Sequence, residues 1–306
     1  FTFKAANSRD LPLQIANLPV LSKRYYDKVP FDKTTMTAPP GAGPYRVAKV
    51  DPGRSVLYQR IKNYWAEQLP VMRGRYNFNL VRFDYFRDRD IAFQAFFSKS
   101  YDFREEFTSR SWATQYEDKL PIKDGRIVRV TLADKTPSGI QAFFFNMRRK
   151  KFKDRRVRKA LDLAFDFEWT NKTLFYGLYD RTNSMFANSA LAAQKPPTSD
   201  EIKLLEPLRG KVPPEVFSEV YQSPRTDGSG HNRSNLRKAT RLLRKAGWKI
   251  VNNKLVDKSG KPLTIEFLLF ESSFQRIISP YVRNLKRLGI DARIRIVDVA
   301  NFQHRM

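Results

Sequence analysis

Seven basic side chains stand within the nine residues RRKKFKDRR, between positions 148 and 156. Guanidinium and ammonium groups at this density can hold phosphates, so the run is a candidate nucleic-acid site. The whole chain is basic, with 57 Lys and Arg against 31 Asp and Glu, a formal net charge of +26. Residues 1–145 hold 24 basic and 15 acidic side chains, and residues 146–306 hold 33 and 16. Because both halves are basic, the charge favours an anionic partner without locating its site.

The usual catalytic and metal-binding side chains are scarce. Cysteine is absent and the histidines are His231 and His304, which excludes disulfides, thiolate catalysis and Cys/His zinc sites. No Ser-His-Asp arrangement and no glycine-rich phosphate-binding motif is visible in the sequence. Glu105 and Glu106 are adjacent and point apart on a helix, so they do not form a catalytic pair. The sequence therefore predicts no enzyme, no catalytic residue, no cofactor and no metal site.

Strand and turn patterns predict a β-rich first half. The chain opens on a strand-like stretch without a Met or a leader, and residues 41–65 read as two strands joined by a Pro-Gly turn. Residues 77–86 alternate as a third strand, and a helix capped by Asp88 or Asp90 follows. Residues 126–134 predict one more strand. These strands and this helix would position any functional residues that the first half contains.

The basic run itself joins a predicted strand to a predicted helix. Residues 142–146 read as a short apolar strand, and Asp154 is the expected N-cap of the helix. One face of this helix is apolar, formed by Val157, Ala160, Leu161, Ala164 and Phe165. Four of its basic side chains lie off that face, toward solvent: Arg155, Arg156, Arg158 and Lys159.

The last quarter of the chain repeats a helix–strand alternation. Residues 234–246 predict a helix that stops at Gly247, and residues 249–270 predict a small hairpin that leads into a buried strand. A second helix stops at Gly289 and a strand follows at once. The chain ends within what reads as a further helix. The fold class predicted from these patterns is mixed α/β (α+β).

Four segments, in order along the chain, resemble the family 5 extracellular solute-binding proteins, which deliver oligopeptides and related solutes to ABC importers. GAGPYRVAKVDPGRSVLYQRIKNYW resembles the family's G-[ST]-G-P-Y/F strand pair, and FFNMRRKKFKDRRVRKALDLAFD resembles its N-x-x-x-x-P-F-x-D-x-R-V-R-x-A-L-x-x-A-x-D signature. NLRKATRLLRKAGW and LGIDARIRIVDVANFQHRM resemble its A-G-W/Y helix and its L-G-I strand–helix step. Residues 166–193 further resemble the branch associated with oligopeptide and microcin C uptake. One departure is Lys151, where the family usually has the proline before Phe152.

The resemblance implies a bilobal fold like that of type II periplasmic binding proteins. Residues 1–139 would form part of lobe I, and residues 140–306 would form most of lobe II. Family members are considerably longer, so the resemblance also implies that the chain is a fragment that lacks N-terminal and C-terminal parts of lobe I.

The implied function is capture of peptides or peptide-like solutes between the two lobes, followed by delivery to the permease of an ABC importer in the inner membrane. The implied compartment is the periplasm, and the intact protein is expected to be a monomer without a specific nucleic-acid partner. An alternative stays open, in which residues 148–159 form a nucleic-acid-binding module. That alternative predicts an affinity that falls steeply with salt.

The resemblance also implies which residues contact the solute: Phe143, Asn146, Arg181, Asn183, Ser184, Val299, Asn301 and Arg305. Phe143 would pack on ligand side chains and Asn146 would hydrogen-bond a peptide main chain, in a segment that crosses between the lobes. Arg305 could pair with a carboxylate through two parallel hydrogen bonds. Simpler roles remain open for each: a core phenylalanine, a strand-end cap, a polar surface loop at residues 181–184, and a solvated arginine.

Overall fold

The computed structural model describes residues 9–33 and 37–306. The chain divides into two compact units, residues 1–105 and 106–306. The predicted strand-like opening lies largely outside the described residues, and a helix follows it. The described elements of the first unit are α1 (Leu11–Ala16), α2 (Lys23–Tyr26), β1 (Tyr45–Asp51), β2 (Ser55–Arg60), β3 (Leu80–Asp84) and α3 (Arg89–Phe97).

The first unit contains the predicted sheet, in the order β1-β2-β3 with both pairings antiparallel. The Pro-Gly turn joins β1 to β2, where Gly53 takes a φ of +74° and the Arg54 amide donates to the Asp51 carbonyl at 3.0 Å. Asp88 caps α3 by accepting from the amides of Asp90 and Ile91. The three strands and the capped helix are therefore confirmed.

The second unit holds most of the helices. Its elements are α4 (Ser109–Thr114), α5 (Leu120–Lys123), α6 (Lys150–Lys153), α7 (Arg155–Ala164), α8 (Phe167–Leu174), α9 (Ser199–Leu205), α10 (Arg233–Lys245), β4 (Lys249–Val251), β5 (Lys254–Val256), β6 (Thr264–Leu269), α11 (Gln275–Arg287), β7 (Asp291–Ile296) and α12 (Val299–Arg305). Single 3-10 turns lie at Glu206–Leu208, Pro214–Phe217 and Ser272–Phe274. β4 and β5 form the predicted hairpin, and β6 and β7 pair in parallel.

Two predicted strands, at residues 126–134 and 142–146, do not form. Both stretches lack strand pairing within the described residues. In the first stretch Val128, Val130 and Leu132 are all exposed, while Arg129 turns inward onto the ring of Trp112 at 4.2 Å. Local residue types can favour a strand, but a strand also needs a neighbouring strand for its main-chain hydrogen bonds. The local sequence does not show whether such a neighbouring strand is present.

The core of the second unit forms around α7. Asp154 accepts from the Arg156 amide at 2.8 Å and caps the helix, as predicted. The buried face of α7 carries Val157, Ala160, Leu161 and Ala164. It packs against apolar side chains of α10, α11 and the β6–β7 pair, among them Ala239, Leu243, Ile265, Tyr281, Leu285, Ile290 and Ala292.

Side chains from α11 and from the residue before α10 satisfy carbonyls at the C-terminal end of α7. The Tyr281 hydroxyl of α11 donates to the Leu161 carbonyl at 2.8 Å, and the Asn284 amide of α11 donates to the Ala164 carbonyl at 3.0 Å. Asn232, the residue before α10, donates to the Leu163 carbonyl at 2.8 Å. The last carbonyls of a helix have no partner within the helix, so these bonds fasten α10 and α11 to one end of α7.

Gly289 joins α11 to β7 in a place too narrow for a side chain. Its φ is +79°, and a Cβ there would lie 2.8 Å from Ile250 Cδ1 and 2.9 Å from the Leu255 nitrogen. The Leu255 amide donates to the Gly289 carbonyl at 2.7 Å. The glycine therefore brings the β4–β5 hairpin against the end of α11.

We expect Gly289→Ala to destabilise the protein by about 2–4 kcal/mol, because the left-handed backbone penalty adds to the steric clash. The matched control is Gly260→Ala, since Gly260 has a φ of +80° and a Cβ added there would meet no atom within 4 Å. The control is expected to cost about 1–2 kcal/mol. Urea denaturation measures both, and equal losses would contradict the crowding at Gly289.

Candidate functional site

Phe143 lies in an extended segment that runs across the core of the second unit. Its ring is half-buried and contacts the rings of Phe165, Phe267 and Tyr281 at centroid distances of 5.7, 5.4 and 5.4 Å. The next ring along, Phe144, is 69% exposed. Phe143 thus has a packing role, while Phe144 presents an apolar surface to solvent.

The main chain of this segment has no hydrogen-bond partner among the described residues. Across the described residues, positions 141–145 make no backbone–backbone hydrogen bond, and no side chain bonds to their amides or carbonyls. An extended backbone with free donors and acceptors can accept a further extended chain alongside it. The segment is therefore a structural candidate for main-chain recognition.

Asn146 ends the segment and holds the turn that follows. Its side-chain oxygen accepts from the amide of Arg148 at 3.2 Å and from the Arg148 guanidinium at 3.3 Å. Its carbonyl accepts from the Arg149 amide at 3.0 Å. The residue is exposed, so its side chain lies at the surface with its oxygen already engaged.

Arg181 is the most constrained of the predicted site residues. Its guanidinium forms an ion pair with Asp162 at 2.8 Å and stacks over the rings of Phe165 and Phe167, at 5.2 and 5.4 Å from their centroids. Its Nη1 is buried and has no hydrogen-bond partner among the described residues. The Tyr221 hydroxyl donates to the second oxygen of Asp162 at 3.3 Å.

Asp162 lies on the edge of α7, where burial and the guanidinium act on it in opposite directions. Burial raises the pKa of this carboxyl above its usual value, and the nearby Arg181 only partly offsets that effect. An arginine stacked between aromatic rings beside a half-buried carboxylate is oriented by both contacts. The guanidinium plane is therefore held in place, with its Nη1 buried and without a hydrogen-bond partner among the described residues.

Asn183 and Ser184 follow Arg181 in the polar loop and make local contacts. Asn183 accepts from the Ser223 amide at 2.9 Å and donates to the Gln222 side chain at 3.2 Å. Ser184 accepts from the Phe186 amide at 3.0 Å. Asn183 therefore joins two loops, whereas Ser184 stabilises its own turn.

Val299, Asn301 and Arg305 lie together on α12. Asp298 caps this helix by accepting from the Asn301 amide at 2.9 Å, and the Asn301 side chain also donates to Asp298. Arg305 lies 3.7 Å from Glu266 of β6, and Val299 is 55% exposed.

The structure brings two of the predicted residues, Phe143 and Arg181, onto one aromatic ring. It places the predicted residues of α12 elsewhere. Phe143 and Arg181 both contact the ring of Phe165. Arg305 instead reaches Glu266, whose neighbour Phe267 contacts Phe143. Since adjacent side chains of a strand point to opposite faces, α12 meets the opposite face of β6 from Phe143.

Three residues in the cluster around Arg181 were not among the predicted site residues: Asp162, Phe165 and Tyr221. Asp162 carried a detectable signal, since it is an acid inside the apolar stretch LDLAF, where an unpaired carboxylate is costly. Phe165 was predicted as a core residue of the helix only. Nothing local in the sequence marked Tyr221, because its contact with Asp162 spans 59 positions.

The basic run at residues 148–156 does not form one free cationic face. Arg156 pairs with Asp154 at 2.7 Å, and Arg155 pairs with Glu215 at 3.4 Å. The Lys151 ammonium donates to the carbonyl of Thr264, and burial, followed by the nearby cations, lowers its pKa. Much of the charge that suggested phosphate binding is therefore engaged within the protein.

Glu215 ties this region together, because Lys159 also pairs with it at 3.1 Å. A hydrogen bond from its own backbone, followed by the Lys159 ammonium, lowers the pKa of this carboxyl to about 2. A carboxyl whose pKa is depressed on folding stabilises the protein above its unfolded pKa, and the stabilisation is lost as the pH falls through the folded pKa.

We expect Glu215→Gln to be less stable than the parent chain near neutral pH, and the gap to close as the pH falls from 4.5 toward 2. Urea denaturation across this pH range measures the gap. The control is Glu219→Gln, since Glu219 forms no ion pair with a described residue. A gap for Glu215→Gln that is constant with pH would contradict the assigned ion pairs.

A comparison with protein families matches residues 1–306 to the family described as "Bacterial extracellular solute-binding proteins, family 5 Middle". This chain belongs to family 5 of the bacterial extracellular solute-binding proteins. The resemblance carried by the four sequence segments is thereby confirmed.

Two curated relatives match the chain over nearly its whole length. The "Probable peptide-binding protein YejA" of Agrobacterium fabrum strain C58 is 40% identical over 315 residues, which cover 100% of this chain and 51% of that relative. The "Uncharacterized protein YejA" of Escherichia coli K12 is 41% identical over 295 residues, or 96% of this chain and 49% of the relative. The chain spans about half the length of the curated relatives it matches.

A solved structure confirms the fold class. The periplasmic oligopeptide-binding protein of an oligopeptide ABC transporter from Thermotoga maritima superposes with a TM-score of 0.65 at 16% identity, covering 98% of this chain and 51% of that one. The mixed α/β fold is that of the type II periplasmic binding proteins. At this identity the likeness concerns the fold alone.

The described residues contain no cluster of three or more His, Asp or Glu side chains that could hold a metal ion. Within the same residues, no helix is both long and apolar enough to cross a membrane.

Proposed function

We propose that this family 5 chain belongs to the periplasmic solute-binding component of an ABC importer, and that its solutes are peptides or peptide-like molecules. The observation that carries the proposal is the match of the whole chain, at 40% identity, to a relative named as a probable peptide-binding protein. The protein captures solute, closes its lobes around it and delivers it to the membrane permease as a monomer. It binds without catalysis, and no cofactor takes part.

The proposed lobes are residues 1–139, as part of lobe I, and residues 140–306, as most of lobe II. In this proposal the extended segment at residues 141–146 carries the chain from one lobe into the other. Its main chain, which is unpaired among the described residues, and the exposed ring of Phe144 support a role in peptide recognition. A bound peptide adds alongside it through main-chain hydrogen bonds, which tolerate many side-chain sequences.

Arg181 is proposed to hold a carboxylate of the peptide. The orientation of its guanidinium by Asp162 and the two aromatic rings supports this role. A guanidinium that is already oriented loses less side-chain entropy on binding. Phe143 and Asn146 shape the segment beside it, and Asn183 and Ser184 line the loop at its edge.

Val299, Asn301 and Arg305 are proposed to form a second solute-contacting surface on α12, on the opposite face of β6 from Phe143. Arg305 is the candidate for charge pairing there, since its pairing with Glu266 at 3.7 Å is long for a charge-assisted hydrogen bond. Asn301 helps to hold the cap of the helix, and Val299 contributes apolar surface.

Native mass spectrometry of the complete gene product, purified without refolding, tests the solute class. The expected result is a set of added masses that dissociate together on denaturation and fragment as peptides. Isothermal titration with the recovered peptides should then give saturable binding to protein stripped of its ligand. A stripped protein that binds sugars or metal chelates but no peptide would overturn the proposal.

Arg181→Ala is expected to weaken peptide binding by about tenfold to a hundredfold, since a charge-assisted hydrogen bond contributes about 1.5–3 kcal/mol. Arg209→Ala is the matched control, because Arg209 likewise pairs with a carboxylate, Glu206, and stacks on a ring, that of Phe217 at 4.1 Å. Titration calorimetry measures both variants at equal folded fraction. Equal affinities for the two variants would remove Arg181 from the proposed site.

A further inference from the structure

Helix α10 carries a concentration of charge that the proposed solute site does not use. Its thirteen residues, RSNLRKATRLLRK, include six cations and no acid. All six cations are exposed: Arg233, Arg237, Lys238, Arg241, Arg244 and Lys245. The helix is anchored by its inner face, where its own residues Asn235, Ala239 and Leu243 are buried.

The six cations share one face of the helix. At 100° per residue they fall within an arc of about 140°, and the buried side chains occupy the opposite side. The helix is about 20 Å long, so the charges form one continuous strip. We call this strip, formed by the six cations of α10, the basic face.

The basic face differs from the neighbouring α7 in that its charges are not neutralised. On α7, Arg155 and Lys159 pair with Glu215, and Arg156 pairs with Asp154. None of the six cations of α10 forms an ion pair or a side-chain hydrogen bond with another described residue. Six like charges held on one rigid helix attract anions more strongly than scattered surface charges do.

We propose that the basic face docks on the anionic surface of a phospholipid bilayer. The strip is a convex helix face and not a pocket, and its cations stand on long, flexible stems. Such a surface fits many mobile headgroups better than one fixed ligand, and each Lys or Arg near an anionic leaflet adds to the attraction. The choice of a membrane as the partner rests on the proposed import function, because a protein that serves a membrane permease works beside a bilayer.

The composition of α10 argues against the other anionic partners. The helix contains no aromatic residue, whereas binding of single-stranded nucleic acid depends on bases stacked on aromatic rings. Between the cations the exposed side chains are Ser234 and Thr240, whereas the centres of protein interfaces are rich in aromatic and other apolar groups. A purely cationic, non-aromatic strip is suited to a diffuse anionic surface.

Sedimentation of the 306-residue chain with vesicles tests the docking. Vesicles of equal parts phosphatidylglycerol and phosphatidylcholine should bind the chain at low salt, and pure phosphatidylcholine vesicles should not. The variant Arg237→Glu, Lys238→Glu, Arg241→Glu should bind the anionic vesicles at least roughly a hundredfold more weakly. Its thermal unfolding should match that of the parent chain, since all three side chains are exposed.

A charge-matched control separates the basic face from the net charge of +26. The variant Lys49→Glu, Arg54→Glu, Lys62→Glu changes the net charge equally at exposed positions of the first unit. It should bind anionic vesicles within about threefold of the parent chain, because the strip on α10 is intact. Equal losses in both variants, or retained binding by the α10 variant, would overturn the proposal.

Two further outcomes bear on the partner. Tighter binding of the parent chain to single-stranded DNA than to the anionic vesicles would overturn the membrane assignment in favour of nucleic acid. Vesicle binding that survives in a protein which binds no peptide would support the basic face while the solute proposal fails. The two proposals can therefore fail independently.

Discussion

The second unit depends on the hydrogen bonds that finish the C-terminal end of α7. Three of its last carbonyls, those of Leu161, Leu163 and Ala164, accept from side chains of other segments. These carbonyls lie next to the buried face of the helix, where an unpaired acceptor would cost about 1–3 kcal/mol. Satisfying them with Tyr281, Asn284 and Asn232 fixes where α10 and α11 meet α7.

The same end of α7 places the candidate solute-binding residues. Phe165, directly after the helix, receives Phe143 on one side and the Arg181 guanidinium on another. Asp162, on the last turn, holds Arg181 in that position. A small rotation of this helix end would therefore displace the aromatic contact and the ion pair together, which couples the core to the site.

Local sequence signals predicted those parts of the fold that local physics decides. Asp154 was recognisable as a helix cap, as was Asp88 as one of two candidates with Asp90, and Gly247 and Gly289 were recognisable as helix stops, because each role needs a particular side chain or a positive φ. Residues 126–134 and 142–146 show the limit of this approach. Their residue types suggested strands, but strand pairing depends on a neighbour that the local sequence does not encode.

The site was less predictable than the fold, for a related reason. Family resemblance pointed to Phe143 and Arg181, whose contacts with Phe165 the structure then placed side by side. The residues that orient Arg181 were missed, since Tyr221 reaches Asp162 across 59 positions. Contacts of this range arise from tertiary packing and leave little trace in spacing or periodicity.

Charge density along the sequence was a poor guide to charge exposed on the surface. The run at residues 148–156 is densely basic, yet Asp154 and Glu215 neutralise two of its members, Arg156 and Arg155, and Lys151 bonds to a main-chain carbonyl. The cations of α10 are spread over thirteen residues and are less conspicuous in the sequence, but the helix gathers them onto one face. An anionic partner meets the charge that is left after internal pairing, and none of the six cations of α10 is paired with an acid among the described residues.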